Sequence, residues 1–274
     1  MIPRLFAFDL DGTLLTSQKT ISTANAKALR EMADSGAVVT LASGRLGSSM
    51  RQFAPGLDME LAMLTLNGAA VYMGSGHGNR RVYDASLSPE YADFLIQYWK
   101  KMPCAINYYF NDHLYSVRNE TTGKWIDLYH QQTRSHYNYL ASMDEMRGSS
   151  PSKIIFVGDE KFLDEQGVVF REKWRNEVYI CRTWEYYLEF LSPLANKGRG
   201  LEALADAYGI DMSEVAAFGD ANNDIPMLEK AGLGVAMFNA PDPVKKAASR
   251  VSPWTNDEDG VAREWELLKK SVRI

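Results

Sequence analysis

Two carboxylates one residue apart, Asp9 and Asp11, follow a short apolar run that begins at Leu5, and Gly12 comes directly after them. Alternate side chains of a strand point to the same side, so Asp9 and Asp11 would share one side if the strand continued through them. Such a pair of like charges favours a cation, and Mg²⁺ accepts carboxylate oxygens together with water and phosphate oxygens. A polar turn is the structural alternative, because Asp and Gly are common in turns.

Further polar residues follow other predicted strands or open a predicted helix: Ser43, Gly44 and Arg45, then Lys197, then Asp220, Asn223 and Asp224. With Asp9 and Asp11 they supply four carboxylates, a hydroxyl and an ammonium, an inventory that suits a phosphorylated substrate and a divalent metal. Structural alternatives stay open. Ser43, Asp220 and Asp224 are common helix N-cap residues, and Arg45 and Lys197 are common at a solvated surface.

The elements that would position these residues alternate between strands and helices in the first and last parts of the chain. Strands are predicted over 4–9, 37–42, 63–66, 215–218 and 234–237, and helices over 23–35, 46–54, 197–208, 225–230, 242–248 and 259–270. A hairpin is predicted over 71–84. This alternation predicts an α/β, Rossmann-like fold with a parallel sheet, in which ligands bind at the carboxyl ends of the strands.

The pattern changes in the middle of the chain, where Tyr and Trp are frequent. Helices are predicted over 88–101, 121–132 and 160–174, and strands over 105–110, 113–117, 153–158, 177–183 and 187–191. This α+β pattern predicts a separate domain over 84–192, inserted into a discontinuous core of residues 1–83 and 193–274.

The order of four motifs resembles the haloacid dehalogenase-like superfamily of phosphohydrolases. The motifs are Asp-Leu-Asp-Gly-Thr at 9–13, Ser-Gly-Arg at 43–45, Asn-Lys-Gly at 196–198 and Gly-Asp-Ala-Asn-Asn-Asp at 219–224. Asn67-Gly68-Ala69, the large insertion and the segment 256–261 resemble its Cof-type branch, in which the inserted domain is a cap.

The resemblance implies a role for each residue. Asp9 would be the nucleophile that forms an aspartyl-phosphate, and Asp11 the general acid and base. Mg²⁺ would be held by Asp9, by the backbone carbonyl of Asp11, by Asp220 and by Asp224. The phosphate or substrate would be bound or oriented by the remaining residues: Ser43, Gly44, Arg45, Asn67, Lys197 and Asn223.

Composition limits the partners. The 274 residues carry a formal charge of −5 and are 46% hydrophobic, which is ordinary for a globular protein and argues against a general nucleic-acid binder. The absence of a long apolar run or a signal peptide predicts a cytoplasmic protein without a membrane partner.

The expected activity is Mg²⁺-dependent hydrolysis of a small phosphorylated metabolite, with a sugar phosphate preferred, by a monomer or small homo-oligomer. The alternatives are phosphotransfer or mutase activity on the same fold, or a phospho-acceptor module that does not turn over.

Overall fold

The apolar run before Asp9 forms a fully buried strand in the middle of a mixed sheet. The computed structural model describes residues 2–53, 57 and 59–272. Its strands are β1 (Leu5–Phe8), β2 (Val38–Ala42), β3 (Ala62–Thr65), β4 (Ala70–Tyr72), β5 (Arg81–Asp84), β6 (Ala105–Phe110), β7 (His113–Ser116), β8 (Tyr137–Tyr139), β9 (Lys153–Val157), β10 (Tyr179–Trp184), β11 (Tyr187–Leu191), β12 (Val215–Gly219), β13 (Leu233–Ala236) and β14 (Arg250–Val251). Its α-helices are α1 (Thr23–Asp34), α2 (Gly47–Arg51), α3 (Pro89–Trp99), α4 (Gly123–Thr133), α5 (Glu160–Trp174), α6 (Lys197–Tyr208), α7 (Ile225–Lys230), α8 (Asp242–Ala247) and α9 (Gly260–Val272).

The described residues divide into two compact units, one of residues up to 84 together with 196 onwards, the other of residues 85–195. In the first unit the strand order is β14-β13-β12-β1-β2-β3-β4-β5. The pairs from β14 to β3 are parallel, and β4 and β5 are added antiparallel at one edge. The predicted α/β fold is therefore confirmed.

Strand β1 shows why helices cover both faces of this sheet. Phe6 and Phe8 point to a core formed with α1 and α9, whereas Leu5 and Ala7 point to a core formed with α6, α7 and α8. A strand buried on both faces consists of consecutive apolar residues, as the Leu-Phe-Ala-Phe sequence does.

The second unit has its own sheet, in the order β10-β11-β9-β6-β7-β8, in which only the β7–β8 pair is parallel. Helices α3 and α5 pack on one face of it, through Leu95 and Ile96 from α3 and Phe170 and Trp174 from α5. This apolar cluster gives residues 85–195 a core of their own.

The predicted helices and strands are confirmed to within two residues at each end, with one exception. The helix predicted over 46–54 ends at Arg51, and residue 54 lies outside the described residues. The predicted termini of the core, 1, 273 and 274, also lie outside them. Strands β8 and β14 were not expected, because three and two residues are too few to show an apolar alternation.

Among the described residues, no helix is both long enough and apolar enough to cross a membrane.

Candidate active site

Three groups of predicted site residues follow the carboxyl ends of adjacent parallel strands. Asp9 follows β1, Ser43 follows β2 and Asp220 follows β12. Strand β1 lies between the other two, with Phe8 opposite both Leu41 and Phe218. The order of the strands in the sheet therefore brings Asp9 close to Ser43, 34 positions away in the chain, and to Asp220, 211 positions away.

Lys197 joins two buried carboxylates. It is the first residue of α6, and its Nζ lies 2.5 Å from Asp9 Oδ1 and 2.5 Å from Asp224 Oδ1. Its side chain has no exposed surface, so this ammonium is an internal charge. Burial on its own would lower the pKa of Lys197, but the two carboxylates outweigh burial and raise that pKa. Lys197 is therefore a permanent cation between Asp9 and Asp224.

Asp9, Asp220 and Asp224 form an acidic cluster that fits a divalent cation. One carboxylate oxygen from each lies within 4.8 Å of the other two. Burial raises the pKa of Asp9 to about 8, although Lys197 partly offsets it, and burial raises the pKa of Asp220 to about 6. Three carboxylates with a single internal ammonium leave excess negative charge, and hard oxygen donors suit Mg²⁺. The residues present therefore fit the expected metal.

Asp224 also shapes the loop after β12. Its Oδ2 accepts hydrogen bonds from the backbone N–H groups of Asp220, at 3.0 Å, and of Ala221, at 2.9 Å. It occupies the N-cap position of α7, yet its side chain makes no cap hydrogen bond to that helix. Asp224 is therefore the N-cap residue of α7 by position, as the structural alternative had it, but its carboxylate bonds to Lys197 and to the loop and not to that helix.

Gly12 lets the chain pass close to Asp220. Its φ of +86° lies in the left-handed region, and a Cβ on it would collide with the Asp220 carboxylate. The next residue, Thr13, is buried and donates a hydrogen bond from Oγ1 to Asp220 Oδ1 over 2.8 Å. Only glycine satisfies both constraints at position 12.

Asp11 does not share its surroundings with Asp9, because β1 ends at Phe8 and the chain turns. The Asp11 carboxylate accepts two hydrogen bonds from Arg45, 2.9 Å from Nε and 2.8 Å from Nη2, and one from Lys19 Nζ at 2.9 Å. Partial burial would raise the pKa of Asp11, but the Arg45 and Lys19 contacts outweigh burial and hold that pKa below its ordinary value. Asp11 is thus ionised, and it is absent from the acidic cluster around Asp9.

The contacts of Arg45 and Lys19 were not foreseen. Arg45 was expected at the phosphate or substrate, and the structure places its guanidinium on Asp11. Lys19 lies in a polar turn, eight residues after Asp11 and 62% exposed in its side chain, so nothing in the local pattern distinguishes it from a solvated lysine. Thr13 lies within the quoted Asp-Leu-Asp-Gly-Thr motif, which was its only signal.

Ser43, Gly44, Asn67 and Asn223 form a separate polar group. Asn67 has a φ of +59°, and its Oδ1 accepts a hydrogen bond of 2.9 Å from Asn223 Nδ2. A Cβ on Gly44 would lie 3.2 Å from that same oxygen. Ser43 is buried, and its Oγ accepts from Arg45 N at 3.3 Å.

Ser43 does not cap α2, because Leu46 occupies the N-cap position of that helix. Among the described residues, no hydrogen bond joins the Ser43 hydroxyl to Asp9, Asp220 or Asp224. The predicted residues therefore lie in three contact groups, around Lys197, around Asp11 and around Asn67.

Comparison with known proteins supplies an independent line of information. The model of the haloacid dehalogenase-like hydrolase family matches residues 6–264. An HMP-PP phosphatase of Cronobacter sakazakii is 33% identical over 239 residues, which is 86% of this chain and 85% of that protein. A 5-amino-6-(5-phospho-D-ribitylamino)uracil phosphatase of Bacillus subtilis is 30% identical over 275 residues, covering 95% and 96% of the two chains. A crystal structure from Thermotoga maritima superposes with a TM-score of 0.89 at 29% identity, over 97% of each chain.

Proposed function

We propose that this chain, which belongs to the haloacid dehalogenase-like hydrolase family, hydrolyses phosphomonoesters of small metabolites with Mg²⁺ as its cofactor. The observation that carries the proposal is the buried Asp9 carboxylate, which is paired with Lys197 and lies within the Asp9–Asp220–Asp224 cluster. A carboxylate, an internal ammonium and a cation-binding cluster together are the parts needed to bring an anionic nucleophile to an anionic phosphate.

Asp9 is the proposed nucleophile. One of its oxygens, Oδ1, is held by Lys197, and among the described residues no hydrogen bond is made to Oδ2. Oδ2 would attack phosphorus, giving an aspartyl-phosphate and releasing the leaving-group oxygen. Lys197 holds the attacking carboxylate in one orientation and reduces its repulsion of the phosphate oxygens.

Asp11 is the proposed general acid and base. Arg45 and Lys19 keep it ionised in this structure, which is the form that takes a proton from water when the aspartyl-phosphate is hydrolysed. For the first step Asp11 must carry a proton to the leaving oxygen. We infer that its contacts with Arg45 and Lys19 loosen when the phosphate enters, because an anion competes for the same cations.

Mg²⁺ would be held by Asp9, Asp220 and Asp224, with the Asp11 carbonyl as the remaining protein ligand expected from the sequence. When bound it would neutralise charge on the phosphate and on the acidic cluster. Among the described residues, Asp9 and Asp220 each keep one oxygen without a hydrogen bond, whereas both oxygens of Asp224 already have protein partners. Ser43 and the Asn67–Asn223 pair are proposed to contact the phosphate or the rest of the substrate.

The substrate class proposed is a small sugar or polyol phosphate. The substrate in the name of the Bacillus subtilis relative contains a phosphorylated ribityl chain. The two relatives named above differ in substrate. The family alone therefore does not decide the metabolite, and we propose that the inserted unit of residues 85–195 selects it, as the cap expected from the sequence would.

Phosphate release from a panel of small phosphomonoesters, with Mg²⁺ and with EDTA, tests the proposal. Asp9→Asn should lower kcat at least about a thousandfold, because an amide is a poor nucleophile. Asp34→Asn, at the exposed end of α1, is the matched control and should keep the wild-type rate. Metal-independent release, an active Asp9→Asn variant, or a folded wild-type protein without activity on any ester would each reject the proposal.

A further inference from the structure

The loop that follows Asp9 is held by side chains from far along the chain. We define this catalytic loop as residues 10–21; it contains Asp11 and Lys19. Asn239 Nδ2 donates to the Gly12 carbonyl over 2.8 Å, and Asn256 Nδ2 donates to the Leu15 carbonyl over 2.8 Å. The Gly12 and Leu15 carbonyls are not used by a helix or strand, so the hydrogen bonds from these two amides fix the path of the loop.

Asp257 fixes a third point of the loop. Its Oδ1 accepts from the backbone N–H of Ser17 at 2.7 Å, and its Oδ2 accepts from the Ser17 hydroxyl. Asn256 N also donates to Asn239 Oδ1 over 3.3 Å, so the residues are linked to each other as well as to the loop. We call Asn239, Asn256 and Asp257 the loop clamp.

The turn of the loop at Lys19 has an unfavourable backbone conformation. Lys19, which reaches Asp11, has a φ of +59° in a turn where its N–H donates to the Thr16 carbonyl over 2.9 Å. A non-glycine residue in the left-handed region costs about 1–2 kcal/mol. The Lys19–Asp11 pair is largely exposed, and exposed ion pairs contribute little. The contact between Lys19 and Asp11 therefore does not by itself hold the turn in this conformation.

We propose that the loop clamp is a set of positioning residues for Asp11. It anchors the loop at Gly12, Leu15 and Ser17, which all lie between Asp11 and Lys19 in the chain, within the segment whose shape decides where those two side chains lie. This inference rests on the proposed role of Asp11 in phosphomonoester hydrolysis. It also gives a role to the segment 256–261, whose resemblance to the Cof-type branch carried no chemistry in the sequence.

Asp257→Asn tests the clamp, because it removes the negative charge and leaves one acceptor oxygen for the two Ser17 donors. The chain offers a close control in Asp211, whose carboxylate accepts from the backbone N–H and the hydroxyl of Ser213 at 2.9 Å and 2.6 Å. Asp211→Asn makes the same substitution at an Asp–Ser contact away from the catalytic loop, where both Ser213 donors bond to Oδ1. We expect Asp257→Asn to lower kcat about 10- to 100-fold with KM changed less than twofold, and Asp211→Asn to leave both unchanged.

Ser17→Ala, which keeps the backbone N–H donor, should give a smaller loss of kcat than Asp257→Asn. A loss of thermal stability shared equally by Asp257→Asn and Asp211→Asn, with unchanged kcat in both, would overturn the proposal. So would a rise in KM at constant kcat, since that would place the clamp in substrate binding.

Hydrogen–deuterium exchange of the full chain without substrate separates this inference from the proposed function. The peptide that contains residues 10–21 should exchange at least tenfold faster in Asp257→Asn than in the wild type, and at the wild-type rate in Asp211→Asn. Faster exchange in Asp257→Asn, together with a wild-type chain that hydrolyses no phosphate ester, would reject the function and leave the clamp standing. Unchanged exchange in Asp257→Asn, with an active wild-type enzyme, would reject the clamp alone.

Discussion

Replacing Lys197 by Met should expose how much of the site's stability depends on one internal charge. The methionine keeps most of the length of the buried side chain but removes the ammonium that lies 2.5 Å from both Asp9 and Asp224. Two buried carboxylates would then face each other without a cation among their contacts. We expect the variant to fold but to be markedly less stable in the absence of metal.

The magnitude follows from the burial of all three groups. Removing one partner of a buried ion pair costs about 3–5 kcal/mol, because the remaining charge is left without compensation. The loss should depend on pH. Without Lys197 the pKa of Asp9 rises further above its already raised value of about 8.

Between the ordinary pKa of a carboxyl group and its raised pKa, the folded state binds more protons than the unfolded state. The free energy of unfolding therefore falls as pH rises through that interval. The wild type and Lys197→Met share this fall up to a pH of about 8, the wild-type pKa of Asp9, and above it only the variant continues to lose stability. The deficit of Lys197→Met should thus be larger at pH 9 than at pH 5.

Urea unfolding in EDTA at pH 5 and pH 9, repeated with Mg²⁺, measures these effects. Lys230→Met is the matched control, since Lys230 makes a half-exposed ion pair with Glu202 and its loss should cost no more than about 1 kcal/mol. Mg²⁺ should stabilise Lys197→Met more than the wild type. A Lys197→Met variant within about 1 kcal/mol of the wild type in EDTA at pH 9 would refute the reasoning.

Three further outcomes are expected. Mg²⁺ should bind more tightly at pH 8 than at pH 5 and release protons on binding. The reason is that protons compete with the metal, since the pKa values of Asp9 and Asp220 are raised to about 8 and about 6. Calorimetry in buffers of different ionisation enthalpy measures the proton release. Gly12→Ala should lose phosphatase activity and Mg²⁺ affinity together, because its methyl group meets the Asp220 carboxylate; retention of both would contradict the close approach. Arg45→Met should raise the pKa of Asp11, so that the limb of the kcat/KM profile due to Asp11 moves to higher pH; an unmoved profile would separate Arg45 from that proton.

The positions of the helices and strands were predictable because they depend on residues close together in the chain. The Leu-Phe-Ala-Phe run of β1 is apolar at every position, as a strand buried on both faces must be, and the spacing of apolar residues in α1 is helical. The motif around Asp9 likewise predicted a site at the carboxyl end of β1. Strand β8 escaped prediction because its three residues, Tyr137–Tyr139, are mostly exposed and bury no apolar face.

The contacts within the site could not be predicted in the same way. Lys197 was expected to meet a bound phosphate at the start of α6, and in the structure it pairs with Asp9 and Asp224, at sequence distances of 188 and 27 residues. Arg45 was expected at the substrate and pairs with Asp11. Which charges meet is decided by how the strands are ordered in the sheet, and a list of polar residues does not contain that order.

The sequence by itself determined the α/β fold, the family motifs and the residue types available for chemistry, because each depends on local pattern. Only the tertiary structure decided that Asp9 and Asp11 have different surroundings, because β1 ends at Phe8 and Gly12 turns the chain. It also decided that Asp257 meets Ser17 across 240 residues, since such a contact exists only once the whole sheet and α9 are in place.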